Sequence, residues 1–269
     1  MIKPGEIQLK ARAAGVRDQQ IEKDYILSWM LQGVAQHQGL SKIIVFKGGT
    51  VLKKVYFNDY RFSEDLDFTL LDAKINNEQI FNYFNETFEY VLKETNTRFE
   101  IIDNNEHEGG GINFYIGYAG PLGGLPNSKK VKIDISRNEK MEFGPVIKNV
   151  FCNYSDLGEH QLLCYSLEEV LVEKMRTVMQ RMQARDFYDL WYLLEVQGME
   201  IGYYLKEFTD KCASKGLKAM DFLKKLDERL PQYKGRWRSS MSEQIKNLPD
   251  FDQVAREVQR HLKKMKIEN

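Results

Sequence analysis

The sequence predicts an α+β protein, in which a mixed α/β half is followed by a helical half. Short apolar runs alternate with helical patterns up to about residue 150. From Leu167 onward the pattern is almost wholly helical. The change falls within residues 150–166, and we therefore expect two domains, 1–155 and 156–269, each long enough to bury a core.

The first half carries the predicted strands. Buried or alternating apolar runs predict strands over residues 41–46, 66–71, 99–103, 112–118 and 130–136. Apolar residues at helical spacing predict helices before residue 39 and over residues 50–57 and 77–94. The run Gly109-Gly110-Gly111 is expected to be a hairpin turn, and a Gly/Pro-rich loop spans residues 119–128.

The second half opens with a helix signal. Ser166 followed three residues later by Glu169 has the pattern of a capping box, which predicts a helix from Leu167. The helix is expected to bury one apolar stripe, formed by Leu171, Met175, Val178 and Met182.

Composition limits the class of protein. Three cysteines without C-x-x-C spacing argue against a disulfide framework or a zinc cluster and fit a reducing cytoplasm. No apolar run approaches the ~20 residues that span a bilayer, so we expect no membrane contact. Residues 211–269 hold 15 Lys and Arg against 8 Asp and Glu, which suits nucleic acid, although solvated helices explain this excess equally well.

The most informative feature is a D-x-D at the start of a predicted strand. Side chains two residues apart on a strand share a face, so Asp65 and Asp67 are expected to point to one place. Two adjacent carboxylates repel each other and need a cation between them. Hard oxygen ligands at this spacing suit Mg²⁺ (or Mn²⁺), which is usually shared with substrate phosphates.

A glycine pair closes the apolar run that precedes the D-x-D. Gly48 and Gly49 would let the backbone pass close to a phosphate, and a helix starting at Thr50 would direct its N–H groups at that anion. The glycine pair and the D-x-D together predict a nucleotide and metal site.

A third carboxylate lies on a later predicted strand. Strand parity places Asp134 with Lys130 and Lys132, opposite an apolar face. Three carboxylates can bind two divalent ions roughly 3.5–4 Å apart, and Asp134 could also accept the proton of an attacking hydroxyl. A surface residue with no such role is the alternative.

A cationic stripe is predicted on the helix after Leu167. Lys174, Arg181 and Arg185 are spaced by seven and four residues, which suits binding of a triphosphate. Asp186 could orient these cations or act in catalysis itself. The alternative is a solvated helix face with local ion pairs.

The remaining motifs are less specific. The four histidines show no ligand spacing, which disfavours zinc hydrolysis, and the chain has no P-loop. Residues 233–238 mix aromatic and basic side chains, a pattern that can stack on single-stranded RNA or form a loop between two helices.

These motifs together resemble the AbiEii/AbiGii-type nucleotidyltransferase toxins, within the DNA polymerase β-like superfamily. The resemblance spans about residues 20–195. It is most specific in Phe46-Lys47-Gly48-Gly49-Thr50-Val51-Leu52 and Arg61-Phe62-Ser63-Glu64-Asp65-Leu66-Asp67. The other matching segments are Ile21-Glu22-Lys23-Asp24-Tyr25, Lys132-Ile133-Asp134, Leu171-Val172-Glu173-Lys174-Met175-Arg176 and residues 181–189.

The resemblance implies a nucleotidyltransferase-type mixed β-sheet flanked by helices, followed by a C-terminal helical bundle. It implies metal-dependent transfer of a nucleoside monophosphate from an NTP to RNA, in known relatives the 3′ end of tRNA, by a toxin paired with a cognate antitoxin or serving phage defence. The catalytic residues it implies are Asp65, Asp67, Asp134, Lys174 and Asp186. Of these, Asp65, Asp67 and Asp134 are the implied metal ligands. The nucleotide-binding residues it implies are Gly48, Gly49, Ser63 and Lys174. We also expect nucleotide binding by Lys47, Thr50, Arg61, Arg181 and Arg185.

Two other functions stay open. One is a nucleotidyltransferase that modifies a small molecule, as antibiotic adenylyltransferases do. The other is a non-catalytic module that binds a nucleotide or a partner. The complete set of acidic and basic residues argues against the second.

Overall fold

The computed structural model describes residues 1–107, 110–125, 128–263 and 265. Gly109 of the predicted glycine turn and residues 126 and 127 of the predicted loop lie outside the described residues. The chain divides into two compact units. The first unit comprises Met1–Glu139 and Pro145–Cys164, and the second comprises Lys140–Gly144 and Tyr165–Asn269.

The described part of the first unit contains a seven-stranded mixed sheet. Its strands are β1 (Ile44–Lys47), β2 (Asp65–Leu70), β3 (Phe99–Glu106), β4 (Ile112–Tyr118), β5 (Lys129–Ser136), β6 (Val146–Asn149) and β7 (Gln161–Cys164). They lie in the order β3-β4-β5-β2-β1-β7-β6. The β2/β5 and β1/β7 pairs are parallel, and the other neighbours are antiparallel. The central β2/β5 pair determines which polar side chains meet.

Helices of the first unit pack on the sheet and on one another. They are α1 (Pro4–Ala14), α2 (Asp18–Gln36), α3 (Leu40–Ile43), α4 (Gly48–Val51) and α5 (Asn77–Thr95). Helix α5 begins with a full capping box between Asn76 and Gln79, and it buries Phe84 against Phe114 of β4 with ring centroids 5.0 Å apart. On β2 and β5, one face carries the polar side chains Asp65, Asp67, Lys132 and Asp134, and we call it the polar face.

The strand predicted over residues 41–46 is wrong in its first half. The structure has α3 there, and β1 begins only at Ile44. The His37 ring causes the difference, because its Nδ1 accepts hydrogen bonds from the N–H groups of Gly39 and Leu40, 3.1 and 3.0 Å away. A side chain that binds these N–H groups favours a helical turn over an extended chain.

The described part of the second unit is helical. It contains α6 (Leu167–Gln180), α7 (Ala184–Trp191), α8 (Leu205–Ser214), α9 (Phe222–Met241) and α10 (Phe251–Leu262). Phe187 stacks on Tyr233 with ring centroids 5.1 Å apart and also contacts Trp237 and Phe251. A mixed sheet flanked by helices, followed by these helices, confirms the predicted α+β fold class.

Ser166 caps α6, but the predicted capping box is only half formed. The Ser166 hydroxyl accepts from the Glu169 N–H, as expected. The Glu169 carboxylate instead accepts from the N–H groups of Glu142 and Phe143, each at 2.8 Å, and from Lys211 Nζ at 2.7 Å. Glu169 therefore fastens the segment Lys140–Gly144 to the helices of this unit.

The basic and aromatic segment 233–238 is not a loop but part of α9. Tyr233 and Trp237 are buried, and the Trp237 Nε1–H donates to the Pro249 carbonyl at 2.9 Å. Lys234 pairs with Asp252. The aromatic rings are used in the core of the second unit, so the stacking surface suggested by the sequence does not form. Among the described residues, every helix is too short or too polar to span a bilayer.

Candidate active site

The D-x-D lies on β2 with both carboxylates on the polar face of the sheet. Asp65 and Asp67 alternate with Leu66 and Phe68, which are buried on the other face. Strand β5 runs parallel beside β2, and the register places Asp67 beside Asp134. The structure therefore brings the three predicted carboxylates onto one face of two neighbouring strands.

Lys132 belongs to the same face, at the register position of Asp65. Its Nζ donates to Oδ2 of Asp134 at 3.1 Å. Burial lowers the pKa of Lys132, but the hydrogen bond and charge of Asp134, with the charges of Asp65 and Asp67, outweigh burial and raise that pKa. An ammonium group thus balances part of the negative charge.

Asp134 also has a neighbour on its outer side. His107 Nε2 lies 3.4 Å from Oδ2 of Asp134 and 3.0 Å from Nδ2 of Asn113, the register partner of Asp134 on β4. Within the described ranges, no three His, Cys, Asp or Glu side chains are close enough together to hold a metal ion by themselves. The assignment of Asp65, Asp67 and Asp134 as metal ligands therefore stays a prediction.

Gly48 starts the helical segment that follows β1. Helix α4 continues directly into a π-helical turn, Leu52–Tyr56, so the helix begins two residues before the predicted start at Thr50. Gly48 has φ +80°, and a Cβ atom there would lie 2.2 Å from Oδ2 of Asp67. Only glycine allows both the backbone conformation and the close approach of the Asp67 carboxylate.

We expect Gly48→Ala to reduce nucleotidyl transfer at least about 100-fold, because a displacement of about 1 Å at a reacting group has that effect. The added methyl group must displace the Asp67 carboxylate. Gly198→Ala is the matched control, since Gly198 has φ +67° and open space around its Cβ position. Comparable initial rates for the Gly48→Ala and control variants would contradict this role of Gly48.

Thr50 and Ser63 bind each other across the site. Thr50 Oγ1 lies 2.7 Å from Ser63 Oγ and 2.5 Å from the carbonyl oxygen of Asp65. Both side chains are buried. These contacts join the helix that starts at Gly48 to the chain just before Asp67.

Lys47 and Arg61 are buried as well. Lys47 lies at the end of β1, opposite Asp67, and its Nζ donates to Ser136 Oγ at 2.9 Å. The Arg61 Nη1 donates to the Phe62 carbonyl at 3.2 Å. Binding of a nucleotide by these residues, or by Gly49, stays a prediction.

Four consecutive side chains near the start of α2 hold separate segments of the first unit. They are Glu22, Lys23, Asp24 and Tyr25, the motif that the sequence analysis placed in the N-terminal helix. Glu22 accepts from the Leu122 N–H and pairs with Lys129, and Lys23 pairs with Glu64. Asp24 pairs with Lys54 and accepts from the Tyr154 hydroxyl. The Tyr25 hydroxyl donates to Asp156. The motif thereby fixes the loop before the D-x-D, the helix after the glycine pair and the described start of the 119–128 loop.

Asp24→Asn is expected to lower the free energy of unfolding by about 3–5 kcal/mol, the usual cost of breaking a buried ion pair. Lys54 Nζ lies 2.7 Å from Oδ2 of Asp24, and both side chains are buried. Lys23→Met is the control, because its ion pair with Glu64 is partly exposed and should contribute less than about 1 kcal/mol. Urea unfolding measures both, and equal midpoints would contradict the prediction.

The second predicted group forms an ion cluster in the second unit, in which Lys174, Asp186 and Asp189 are buried and Arg181 is exposed. Lys174 Nζ lies 2.7 Å from both Oδ1 of Asp186 and Oδ2 of Asp189. Arg181 Nε and Nη2 donate to Asp186 at 2.6 and 3.1 Å. Burial raises the pKa of Asp186, but Lys174 and Arg181 outweigh it and hold that pKa below its usual range. Asp186 therefore orients both cations, one of the two roles predicted for it.

The prediction that Lys174, Arg181 and Arg185 share one helical stripe is wrong. Helix α6 ends at Gln180, and Arg185 lies on α7. The solvated helix face considered as an alternative is also wrong for Lys174, which is only 4% exposed. Sequence reasoning missed Asp189, although its spacing of three residues from Asp186 on one helix places the two on the same face.

Solved structures with a similar fold come from bacterial proteins. The chain is 16% identical to JHP933 from Helicobacter pylori, with a TM-score of 0.58 over 92% of each chain. It is 16% identical to a nucleotidyltransferase toxin from Mycobacterium tuberculosis, MenT4, with a TM-score of 0.56 over 99% of this chain and 91% of that one. No curated protein shows significant similarity. The fold is therefore similar to that of a solved nucleotidyltransferase toxin.

The family follows from the sequence itself. The profile of the family described as nucleotidyl transferase AbiEii toxin, type IV toxin–antitoxin system, matches residues 29–257. This match covers most of the chain, so the protein belongs to the AbiEii nucleotidyltransferase toxin family, as the motifs predicted.

Proposed function

We propose that the protein transfers a nucleoside monophosphate from an NTP to an RNA acceptor in a metal-dependent reaction, with the 3′ end of tRNA as the acceptor. The observation that carries the proposal is the carboxylate face formed by Asp65, Asp67 and Asp134 beside the helix that starts at Gly48. Membership of the AbiEii toxin family supports it.

The carboxylate face fits a divalent cation such as Mg²⁺ or Mn²⁺. Asp65, Asp67 and Asp134 would hold it, since Lys132 balances only part of their negative charge. Mg²⁺ commonly binds through one or two carboxylates and takes its other ligands from water and substrate phosphates, so a preformed three-residue cluster is not required. When bound, such a cation stabilises charge on the transferring phosphoryl group.

The reaction joins an acceptor oxygen to the α-phosphorus of the NTP. The bond between that phosphorus and the oxygen bridging to the β-phosphorus breaks, and pyrophosphate leaves. The hydroxyl proton goes to the Asp134 carboxylate as general base. The start of α4, with Gly48, Gly49 and Thr50, and the adjoining Lys47, Arg61 and Ser63 form the proposed phosphate-binding segment.

Three basic residues of the second unit are further proposed nucleotide contacts. Lys174, Arg181 and Arg185 would bind phosphate oxygens, because ammonium and guanidinium groups form charge-assisted hydrogen bonds to them. Asp186 would set the direction of Lys174 and Arg181, to which it is bound at 2.7 and 2.6 Å.

An RNA acceptor agrees with the excess of basic residues over 211–269. The cellular role we propose is that of a toxin that arrests growth, paired with a cognate antitoxin in a toxin–antitoxin or phage-defence system. A neighbouring reading frame for a small winged-helix-like protein would support this pairing.

The test incubates the protein with each of the four α-³²P-labelled NTPs, Mg²⁺ or Mn²⁺, and total RNA. We expect one NTP to label a discrete small-RNA band, and EDTA to abolish the label. Label only in a small-molecule fraction would replace the RNA acceptor by the antibiotic-type alternative. Nucleotide binding without any labelled product, under every metal, would favour the non-catalytic module.

A further inference from the structure

A lysine stands among the three carboxylates of the polar face. We propose that Lys132 is a resident counter-cation of Asp65, Asp67 and Asp134, which a divalent ion must displace, so that metal binds together with the nucleotide rather than alone. This inference rests on the proposed function, because it concerns how the same carboxylates acquire their metal.

The position of Lys132 follows from the strand register. Lys132 is the register partner of Asp65, and Asp134, two residues later on the same face, is the partner of Asp67. Its Nζ donates to Oδ2 of Asp134 at 3.1 Å. The ammonium group of Lys132 therefore lies where a metal ion bound to these carboxylates would have to lie.

The surroundings favour a tightly held ammonium group. The Lys132 side chain is 30% exposed and that of Asp134 is 22% exposed, so the pair is partly removed from water. Interactions between charges grow stronger as the local dielectric constant falls. Asp65 and Asp67 add to the attraction that Asp134 exerts on Lys132. A competing cation must displace this ammonium group, and the free energy that this requires weakens the binding of that cation.

A nucleotide changes this balance. A triphosphate supplies further oxygen ligands to the metal and offers the displaced ammonium group a new negative partner. The metal–nucleotide complex can therefore displace Lys132 at a metal concentration at which the metal alone does not. By linkage, nucleotide and metal then raise each other's affinity.

Electron paramagnetic resonance of free Mn²⁺ measures the metal affinity directly, without turnover. Each titration is done with and without NTP analogues that carry a methylene group between the α- and β-phosphorus atoms. We expect Lys132→Met to bind Mn²⁺ alone at least about tenfold more tightly than the wild type, because one opposing charge is removed near the carboxylates. The ratio of the affinities with and without nucleotide should fall accordingly.

Two variants serve as controls. Lys130→Met removes a lysine from the same face of β5, where Lys130 is exposed and its Nζ lies 4.3 Å from the centroid of the Tyr115 ring. It should leave Mn²⁺ binding within about twofold of the wild type, since an exposed charge is well screened. Lys132→Arg keeps the charge and should stay close to the wild type. Circular dichroism checks that all variants are folded.

The outcomes separate the two claims. The counter-cation role alone is overturned by one result. In it, Lys132→Met binds Mn²⁺ alone no more tightly than the wild type does, while the wild type binds Mn²⁺ in the presence of an analogue. If the wild type fails to bind Mn²⁺ both in the absence of nucleotide and with every analogue, the proposed metal-dependent function itself is overturned.

Discussion

Asp67→Asn should abolish nucleotidyl transfer, with a loss of at least about 1,000-fold in the labelling rate, because it removes a proposed metal ligand and its charge stabilisation. Asp67 is central to the carboxylate face. It lies beside Asp134 in the β2/β5 register, opposite Lys47 on β1, and against the backbone of Gly48. The substitution keeps the shape of the side chain, so the fold should be preserved.

Asp103→Asn is the matched control for this variant. Asp103 lies on the same sheet in β3 as the register partner of Tyr115, which is itself the register partner of Lys132. The Asp103 side chain is exposed, so the Asp103→Asn variant should retain full activity. Initial rates with the α-labelled NTP measure both variants. An Asp67→Asn rate within tenfold of the wild type would remove Asp67 from the proposed metal site.

Lys174→Met should lower the free energy of unfolding by about 3–5 kcal/mol and also abolish activity. The substitution removes the ammonium group from between two buried carboxylates, those of Asp186 and Asp189, each 2.7 Å away. The pairing holds the pKa of Asp186 below its usual range, so its contribution is present above the ordinary pKa of an aspartate. That contribution is lost as the pH falls through the lower, folded-state pKa.

Lys234→Met provides the comparison for stability, because Lys234 and Asp252 form an exposed pair in the same unit. An exposed pair contributes at most about 1 kcal/mol. Chemical unfolding of both variants gives the free energies. Restoring the charge with Lys174→Arg should recover part of the stability. Equal unfolding free energies for Lys174→Met and Lys234→Met would contradict the buried ion pairs of Lys174.

The fold class and the strand faces could be predicted because both depend on local periodicity. The alternation of Asp65 and Asp67 with Leu66 and Phe68 indicates the polar face directly, and the same holds for Asp134. The parallel pairing of β2 with β5 depends on contacts distant in sequence. The position of Lys132 beside Asp65 could therefore not be predicted, although parity already placed Lys132 on the face of Asp134.

The end of α6 was missed for a similar reason. Apolar and basic residues continue at helical spacing beyond Gln180, which predicted a longer helix. In the structure, Arg229 and Tyr233 of α9 donate hydrogen bonds to the Val178 carbonyl at 2.9 and 3.0 Å, and Tyr233 also donates to the Arg181 carbonyl. These hydrogen bonds satisfy carbonyl groups at the end of α6. Their donors lie on α9, which is distant in sequence, so the end of α6 could not be predicted from local spacing.

The position of the label in the NTP tests the central claim most directly. The wild-type protein is incubated with RNA and the same NTP labelled either at the α- or at the γ-phosphorus. Transfer of a nucleoside monophosphate predicts that the α label enters the RNA and that the γ label is released entirely as pyrophosphate. Entry of the γ label into the RNA, or of neither label, would contradict nucleotidyl transfer to RNA.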